Sequence, residues 1–487
     1  MDGYDGDEMW RWIEEITSHG PRRPGSPGDA AVEDWLEGKL RGFGFEDVRR
    51  EPIAIRAWKD DEARLEVRGA DGGVVLRPEV QCIPYVRFGP EGGDERPLRF
   101  FGSAGGADAD WRGAIVVAEV AFPRIRTASL RRIAIGEHDP DGTLGEVDHP
   151  ATWVRLNWHL YREAVKRRAA GFVGILKDQP GGTCRMFAPY GFREGDIMAK
   201  PVPGVWVGRD QGEALKRLAL AGKATARLVV RGTDAPGTTH NIVAELPGRG
   251  ADDEAIVLSC HHDSPYASPV EDASGCSVVL ALARRLAETR PLRRRLIVLF
   301  SAGHFYGSIG TRTFIESHPE VVRRTVLEVS IEHVALEARE GPDGRLEPTG
   351  RPEATAMFVS FSPAIAEAVL EGSASHGLDR VILLPAEGPL GNYPPSDGGD
   401  WYQAGVPVIN CISNPVYLLT DEDGPEWVDR PRLAKVAAAF DQILRRLDAE
   451  PRASLASVKS RGYKLRMKAL TVLTRAWATR LGFREFY

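Results

Sequence analysis

Four short polar segments follow apolar runs of strand length. Cys260-His261-His262-Asp263-Ser264 comes after Ala255–Leu258, and Glu271-Asp272-Ala273-Ser274-Gly275 opens a helical stretch soon afterwards. Ser301 to Gly307, which includes His304, comes after Leu296–Phe300, and Glu332-His333 comes after Val326–Ile331. Imidazoles and carboxylates gathered at successive strand ends are what a divalent cation requires, because Zn²⁺ takes His nitrogen and Asp or Glu oxygen as ligands. Asp263, two residues beyond His261, is spaced to fix the tautomer of a ligating ring. Each residue alone also has a plainer reading. His262 and His333 could simply hydrogen-bond at strand ends, and Asp272 could only cap the helix that begins at Ala273. Ser264 and Ser274 have no partner arrangement that would make either a nucleophile.

The elements that must position these segments alternate. From 238 onward, strand-like runs (Asn241–Leu246, Ala255–Leu258, Leu296–Phe300, Val326–Ile331, Val406–Ile409) are separated by helical periods at 276–289 and 431–448. This alternation predicts an α/β fold with a mostly parallel central sheet flanked by helices, whose chemistry sits past the carboxyl ends of the strands. Residues 9–45 predict two helices around the turn Gly20-Pro21-Arg22-Arg23-Pro24-Gly25-Ser26-Pro27-Gly28. Short β-like runs separated by Gly, Pro and Asp fill about 75–231 and, with helix candidates at 160–170 and 211–220, predict a separate α/β or β-rich module.

Length and composition bound the rest. A chain of 487 residues, 43% hydrophobic and 27% charged, is that of a globular protein with more than one domain. A net charge of −6 offers no general attraction to nucleic acid. Five scattered cysteines without a CxxC pair argue against a disulfide scaffold. The acidic N-terminus has no apolar leader and no run is long enough to span a membrane, so the expected location is cytoplasmic. The tail from 452 to 487 holds nine Lys/Arg and one acid, Glu485. Its stripe of Leu470, Leu473, Trp477 and Leu481 predicts an amphipathic helix that docks on the body or on a second subunit, with membrane-surface or nucleic-acid contact as alternatives.

Several of these motifs together carry a resemblance. Asn241-Ile242-Val243-Ala244-Glu245-Leu246-Pro247-Gly248, the His-x-Asp-Ser of His261 to Ser264, and the acidic-x-Ala-Ser-Gly of Glu271 to Gly275 are three of them. The frame from Phe300 to Gly310, Ser396-Asp397, and Ala404-Gly405-Val406-Pro407 are others. With them the chain resembles the zinc aminopeptidase family that includes glutamate carboxypeptidase, glutaminyl cyclase and the catalytically silent transferrin receptor. The resemblance implies an N-terminal helical part of the catalytic domain over 1–75, an inserted β-rich protease-associated domain over 76–231, an aminopeptidase-like catalytic domain over 232–451, and the tail beyond.

The resemblance also implies an altered site. Catalytic relatives hold two metals through a His, a bridging Asp, a Glu, a second Asp and a second His, with a further Glu as general base. His261 matches the first His, and Glu271 and Glu332 stand where the two Asp residues would be. His304-Phe305 replaces the Glu pair, and Leu419 or its neighbour replaces the second His. Each metal would lose one ligand. Glu in place of Asp adds about 1.5 Å of reach, so one metal held by His261, His304 and one or both of Glu271 and Glu332 is expected, with Asp263 supporting His261. Zinc suits such a set, and ferrous iron with open positions also suits it. Asp272, His262, His333 and Asp400 are the candidates for a general base. Tyr393, Trp401 and Tyr402 either line a substrate pocket or pack in the core.

The expected function is a metal-dependent hydrolase of an amide or peptide-like bond in a small substrate. Two alternatives stay open: a binding or scaffold protein that has lost catalysis, and a ferrous-iron oxygenase or lyase. A small-molecule or peptide-like substrate is the expected partner, with a homo-oligomer as a further possibility and no nucleic acid or membrane span.

Overall fold

The structure is a computed structural model describing residues 3–101, 111–151, 158–188, 200–250, 253–289, 291–456, 469 and 472. The apolar stripe expected in the tail lies outside the described residues. Four strands run parallel in the spatial order Arg295–Ser301, Ala255–His261, Thr325–Ile331, Val408–Ser413. They are buried on both faces, so successive apolar side chains are needed, and the sequence supplies them without alternation. Ile256, Leu258, Val298 and Ile409 pack with the helices Gly275–Glu288 and Arg430–Ala449 on one side. Val257, Leu299 and Val408 pack with Phe314 and Trp401 on the other. Trp401 thus belongs to the core, and the Tyr402 hydroxyl donates to Glu387.

Thr225–Leu246 pairs antiparallel with Arg295–Ser301 near its end and with Glu95–Phe100 at its start. Along its whole length it also pairs with Asp47–Arg68, from Asp47 opposite Glu245 to Arg68 opposite Thr225. This 22-residue strand joins two halves into one sheet of 15 strands. In the second half, Glu95–Phe100, Ile115–Val120, Gly171–Leu176 and Gly204–Gly208 run parallel, with the helices Trp158–Lys166 and Arg209–Ala221 beside them in the chain. Of the α/β and β-rich alternatives for this stretch, the strands and helices form a small parallel α/β layer. One of its strands, Gly136–His138, pairs with Val381–Pro385 at the opposite edge of the sheet.

Two N-terminal helices flank this sheet, Gly6–Ser18 capped by Asp5 and Pro27–Gly42 capped by Ser26. Between them, Arg22 is fully buried against the strand ends, where it bonds loop carbonyls. Among the described residues no helix is long and apolar enough to cross a membrane.

Candidate metal centre

His261 is the last residue of Ala255–His261, and its Nδ1 bonds the Asp263 carbonyl at 3.0 Å. His333 follows Thr325–Ile331, and its Nδ1 bonds the Ser413 carbonyl at 2.8 Å. A carbonyl only accepts, so in both neutral rings the proton sits on Nδ1 and Nε2 is a bare lone pair. Both Nε2 atoms face one carboxylate: His261 Nε2 lies 3.0 Å from Glu271 Oε1, and His333 Nε2 lies 2.7 Å from Glu271 Oε2. Neither imidazole nitrogen makes an aligned hydrogen bond, and all three side chains are buried. Their donor atoms lie within 4.8 Å of one another. This is the arrangement of ligating histidines whose other nitrogen is fixed by an acceptor. The donor set fits a divalent cation.

The loop carrying Glu271 is held from outside. Asp423 accepts the Val270 and Glu271 amides, each at 3.0 Å, and Arg22 donates to the carbonyls of His262, Ala267, Ser268 and Glu271. A Cβ on Gly275 would lie 2.4 Å from Asp272 Oδ1 and 2.5 Å from the Ile331 carbonyl. Only glycine lets the helix start this close to the strand end bearing Glu332 and His333. Two residues around the site, His333 and Ser396, hold positive φ angles of 60° and 66°. Such backbone states cost free energy and concentrate at functional sites.

The charges show what the cluster demands. Burial alone would lower the His333 pKa, yet Glu271 pushes it up to about 9. Burial likewise opposes ionisation of Glu271, and His333 and His261 hold it well below the usual carboxylate range. Three lone-pair atoms facing one another thus require positive charge, which protons or a cation can supply.

The structure redraws the expected ligand set. His333, read from sequence as a candidate base, joins His261 and Glu271, whereas His304 stands outside the converging group. Its ring stacks on His261 with centroids 4.1 Å apart and planes 13° apart, and its Nδ1 lies 3.2 Å from Asp397 Oδ1. Burial opposes the His304 imidazolium, but the Asp397 carboxylate raises its pKa to about 10. Glu332 lies at the margin. Its Oε1 takes a short hydrogen bond from Ser396, and its Oε2 lies 4.0 Å from His333 Nε2. Asp263 accepts the amides of His304 and Phe305 at 2.9 and 3.2 Å, so it positions that turn in addition to placing its carbonyl on His261.

Of the other candidate bases, Asp272 gives Oδ1 to the backbone, accepting the amides of Gly275 and His333 at 3.2 Å each, while its buried Oδ2 has no hydrogen-bond partner, and it lies outside both converging groups. His262 belongs to a different cluster, facing Asp29 Oδ1 at 3.4 Å, and burial is outweighed there by Asp29, which raises the ring to about 10. Asp400 lies outside both converging groups, on the short helix Gly398–Gln403. Asp397 was missed as a site residue, although the Ser396-Asp397 motif marked its position. Asp423 carried no signal, because its role depends on a loop folding back across 152 residues.

Comparison with known proteins follows this geometry. The residues 241–359 match peptidase family M28. This stretch is an M28 domain. It contains all three converging donors and both strand ends that carry them. Over 318 residues, 62% of the chain, the sequence is 22% identical to bovine (Bos taurus) carboxypeptidase Q, and the match spans 59% of that relative's length. A peptidase M28 precursor from Shewanella amazonensis superposes with a TM-score of 0.69 at 17% identity, covering 93% of this chain and 95% of that one. A zinc aminopeptidase from Bacillus subtilis gives 0.66 at 15% identity, covering 94% and 100%. An aminopeptidase from an Aneurinibacillus species gives 0.59 at 20% identity, covering 90% and 93%. These neighbours share the fold over nearly the whole chain.

Proposed function

We propose that this chain is a metal-dependent hydrolase of an amide or peptide-like bond in a small substrate, with a rebuilt mononuclear site formed by His261, Glu271 and His333. The observation that carries this reading is the pair of bare, buried Nε2 atoms converging on the Glu271 carboxylate inside an M28 domain. When bound there, a zinc-class cation supplies Lewis-acid polarisation and a lowered pKa for water.

The chain's own residues then divide the remaining work. Glu332, held by Ser396 and close to His333, is the margin ligand or orienting carboxylate. His304 is the proton donor: Asp397 holds its imidazolium through Nδ1, which leaves the Nε2 proton for the leaving group, and at 8% exposure it is the most accessible group of the cluster. It stands where the resemblance places the general base. The region 76–231 is assigned as the inserted module.

A non-catalytic binding role is the second reading. It is favoured by the burial of the three donors to 2% exposure or less for His261 and Glu271 and 5% for His333, and by Phe305, whose ring meets His261 edge-on at 5.8 Å.

One experiment separates the two. Purified protein is analysed for zinc and assayed on chromogenic aminoacyl and dipeptidyl amides. A tightly held ion with turnover is expected, and His304→Ala should keep the ion while slowing hydrolysis about 10²- to 10⁴-fold. An ion without turnover selects the binding role. Protein that takes up no divalent ion overturns the hydrolase reading and leaves a metal-free binding role.

A further inference from the structure

The residue after His261 builds a second site of the same kind, which the proposed reaction does not use. His262 Nε2 lies 3.0 Å from the carbonyl of His240. The carbonyl accepts, so the proton of the neutral ring is on Nε2 and Nδ1 is bare. That bare nitrogen faces Asp29 Oδ1 at 3.4 Å, and neither atom makes a hydrogen bond. The opposite oxygen, Asp29 Oδ2, is satisfied by the Gly25 amide and the Thr239 hydroxyl, each at 2.7 Å. Glu33, one helical turn beyond Asp29, brings a second carboxylate. Its Oε1 accepts the His240 amide at 2.7 Å and the Thr239 hydroxyl at 3.1 Å, and its Oε2 lies 2.8 Å from His240 Nδ1. Donor atoms of Asp29, Glu33 and His262 lie within 4.8 Å of one another, and the three residues are exposed by 1%, 2% and 1%.

Two unpartnered lone-pair atoms 3.4 Å apart in a dry site repel unless something positive lies between them. Ligands about 2.0–2.1 Å from a tetrahedral ion stand about 3.3–3.4 Å apart, which is the separation found. We infer that Asp29, Glu33 and His262 form a second divalent-cation site of zinc-class chemistry, structural in role, that clamps the helix Pro27–Gly42 to the strand end bearing His261. A mixed nitrogen and oxygen set selects zinc over magnesium or calcium, which take oxygen throughout. The site does not depend on the hydrolase reading, since none of its three donors touches Glu271 or His333 among the bonds described.

The test is a zinc titration of full-length protein freed of metal with chelator, with bound zinc counted by mass spectrometry after desalting. The wild type is expected to take two equivalents. Glu271→Gln and Asp29→Asn should each take one, and the double variant none. In the Glu271→Gln background zinc should still raise the melting temperature, and adding Asp29→Asn should abolish that rise. Asp29→Asn protein that binds as much zinc as the wild type overturns the inference, which leaves a protonated His262 paired with Asp29. Loss of zinc in Asp29→Asn with retention in Glu271→Gln supports this site while removing the hydrolase reading. Should Asp29→Asn fail to fold, anomalous diffraction at the zinc edge from wild-type crystals decides: a peak between Asp29 and His262 supports the inference, and its absence overturns it.

Discussion

His261 and His262 are neighbours in the chain, both are buried, and each presents one bare nitrogen to a carboxylate, yet they are served by different parts of the molecule. The partners of His261 come from the loops of the sheet itself: Glu271 ahead of the next helix and His333 after the neighbouring strand Thr325–Ile331. The partners of His262 come from the helix Pro27–Gly42, more than 200 residues earlier in the chain, and from His240. Around His261 two imidazoles share one carboxylate, and His304 leads outward from them. Around His262 one imidazole meets two carboxylates held by backbone amides and Thr239, with no comparable exit beyond the half-exposed His240. On the two proposals made above, one strand end serves both a chemical and a structural site, since successive residues of an extended chain point to opposite sides.

This contrast can be broken at graded cost. The largest effect is expected from Glu271→Ala, which removes the carboxylate both imidazoles share. Zinc affinity at that site should fall on the order of 10³-fold or more, beyond the roughly 10–100-fold seen for residues that only support a ligand, and hydrolysis should fall to background in the same assay. Arg22→Ala comes next. Its guanidinium bonds the His262 carbonyl of one cluster and the Glu271 carbonyl of the other, so urea unfolding should show a loss of about 3 kcal/mol and both zinc sites should weaken. Weakening of only one would show that the clusters are supported separately.

Asp263→Asn keeps the shape but weakens the acceptor of the His304 and Phe305 amides. About 10- to 100-fold poorer zinc binding is expected near His261, with the Asp29 site unchanged in equilibrium dialysis. Ser396→Ala removes one hydrogen bond to Glu332 and should cost about 1 kcal/mol in thermal or chemical unfolding. Its zinc stoichiometry should not change.

Much of the architecture was legible because α/β alternation is a local pattern. The apolar runs at 255, 296 and 326 became buried parallel strands close to their expected bounds, since strands covered on both faces are written as continuous hydrophobic sequence. Asp47–Arg68 was not anticipated. Its charged residues hide the strand, which exists because Thr225–Leu246 pairs with it residue by residue. Pro407 precedes Val408–Ser413, so that strand begins two residues later than its apolar run suggests. The β-rich texture read over 76–231 became parallel strands, because short Gly-bounded runs look alike whichever direction their partners take.

For the site, sequence determined that His261, Glu271, Glu332, His333 and His304 would gather at the carboxyl edge of the sheet, because strand ends in such folds lie on one side. The resemblance further implied that the usual metallopeptidase ligands are replaced, which is the premise of the proposed site. Only the tertiary structure decided that His333 turns inward while His304 stacks on His261 and turns its Nδ1 to Asp397. That choice rests on a left-handed backbone at His333 and on acceptors brought from Ser413 and Asp397, roughly 80 to 93 residues away. Spacing along a chain fixes which groups can meet. The direction of a lone pair is fixed by the acceptor that receives the N–H of the ring's other nitrogen, which for His333 comes from across the fold.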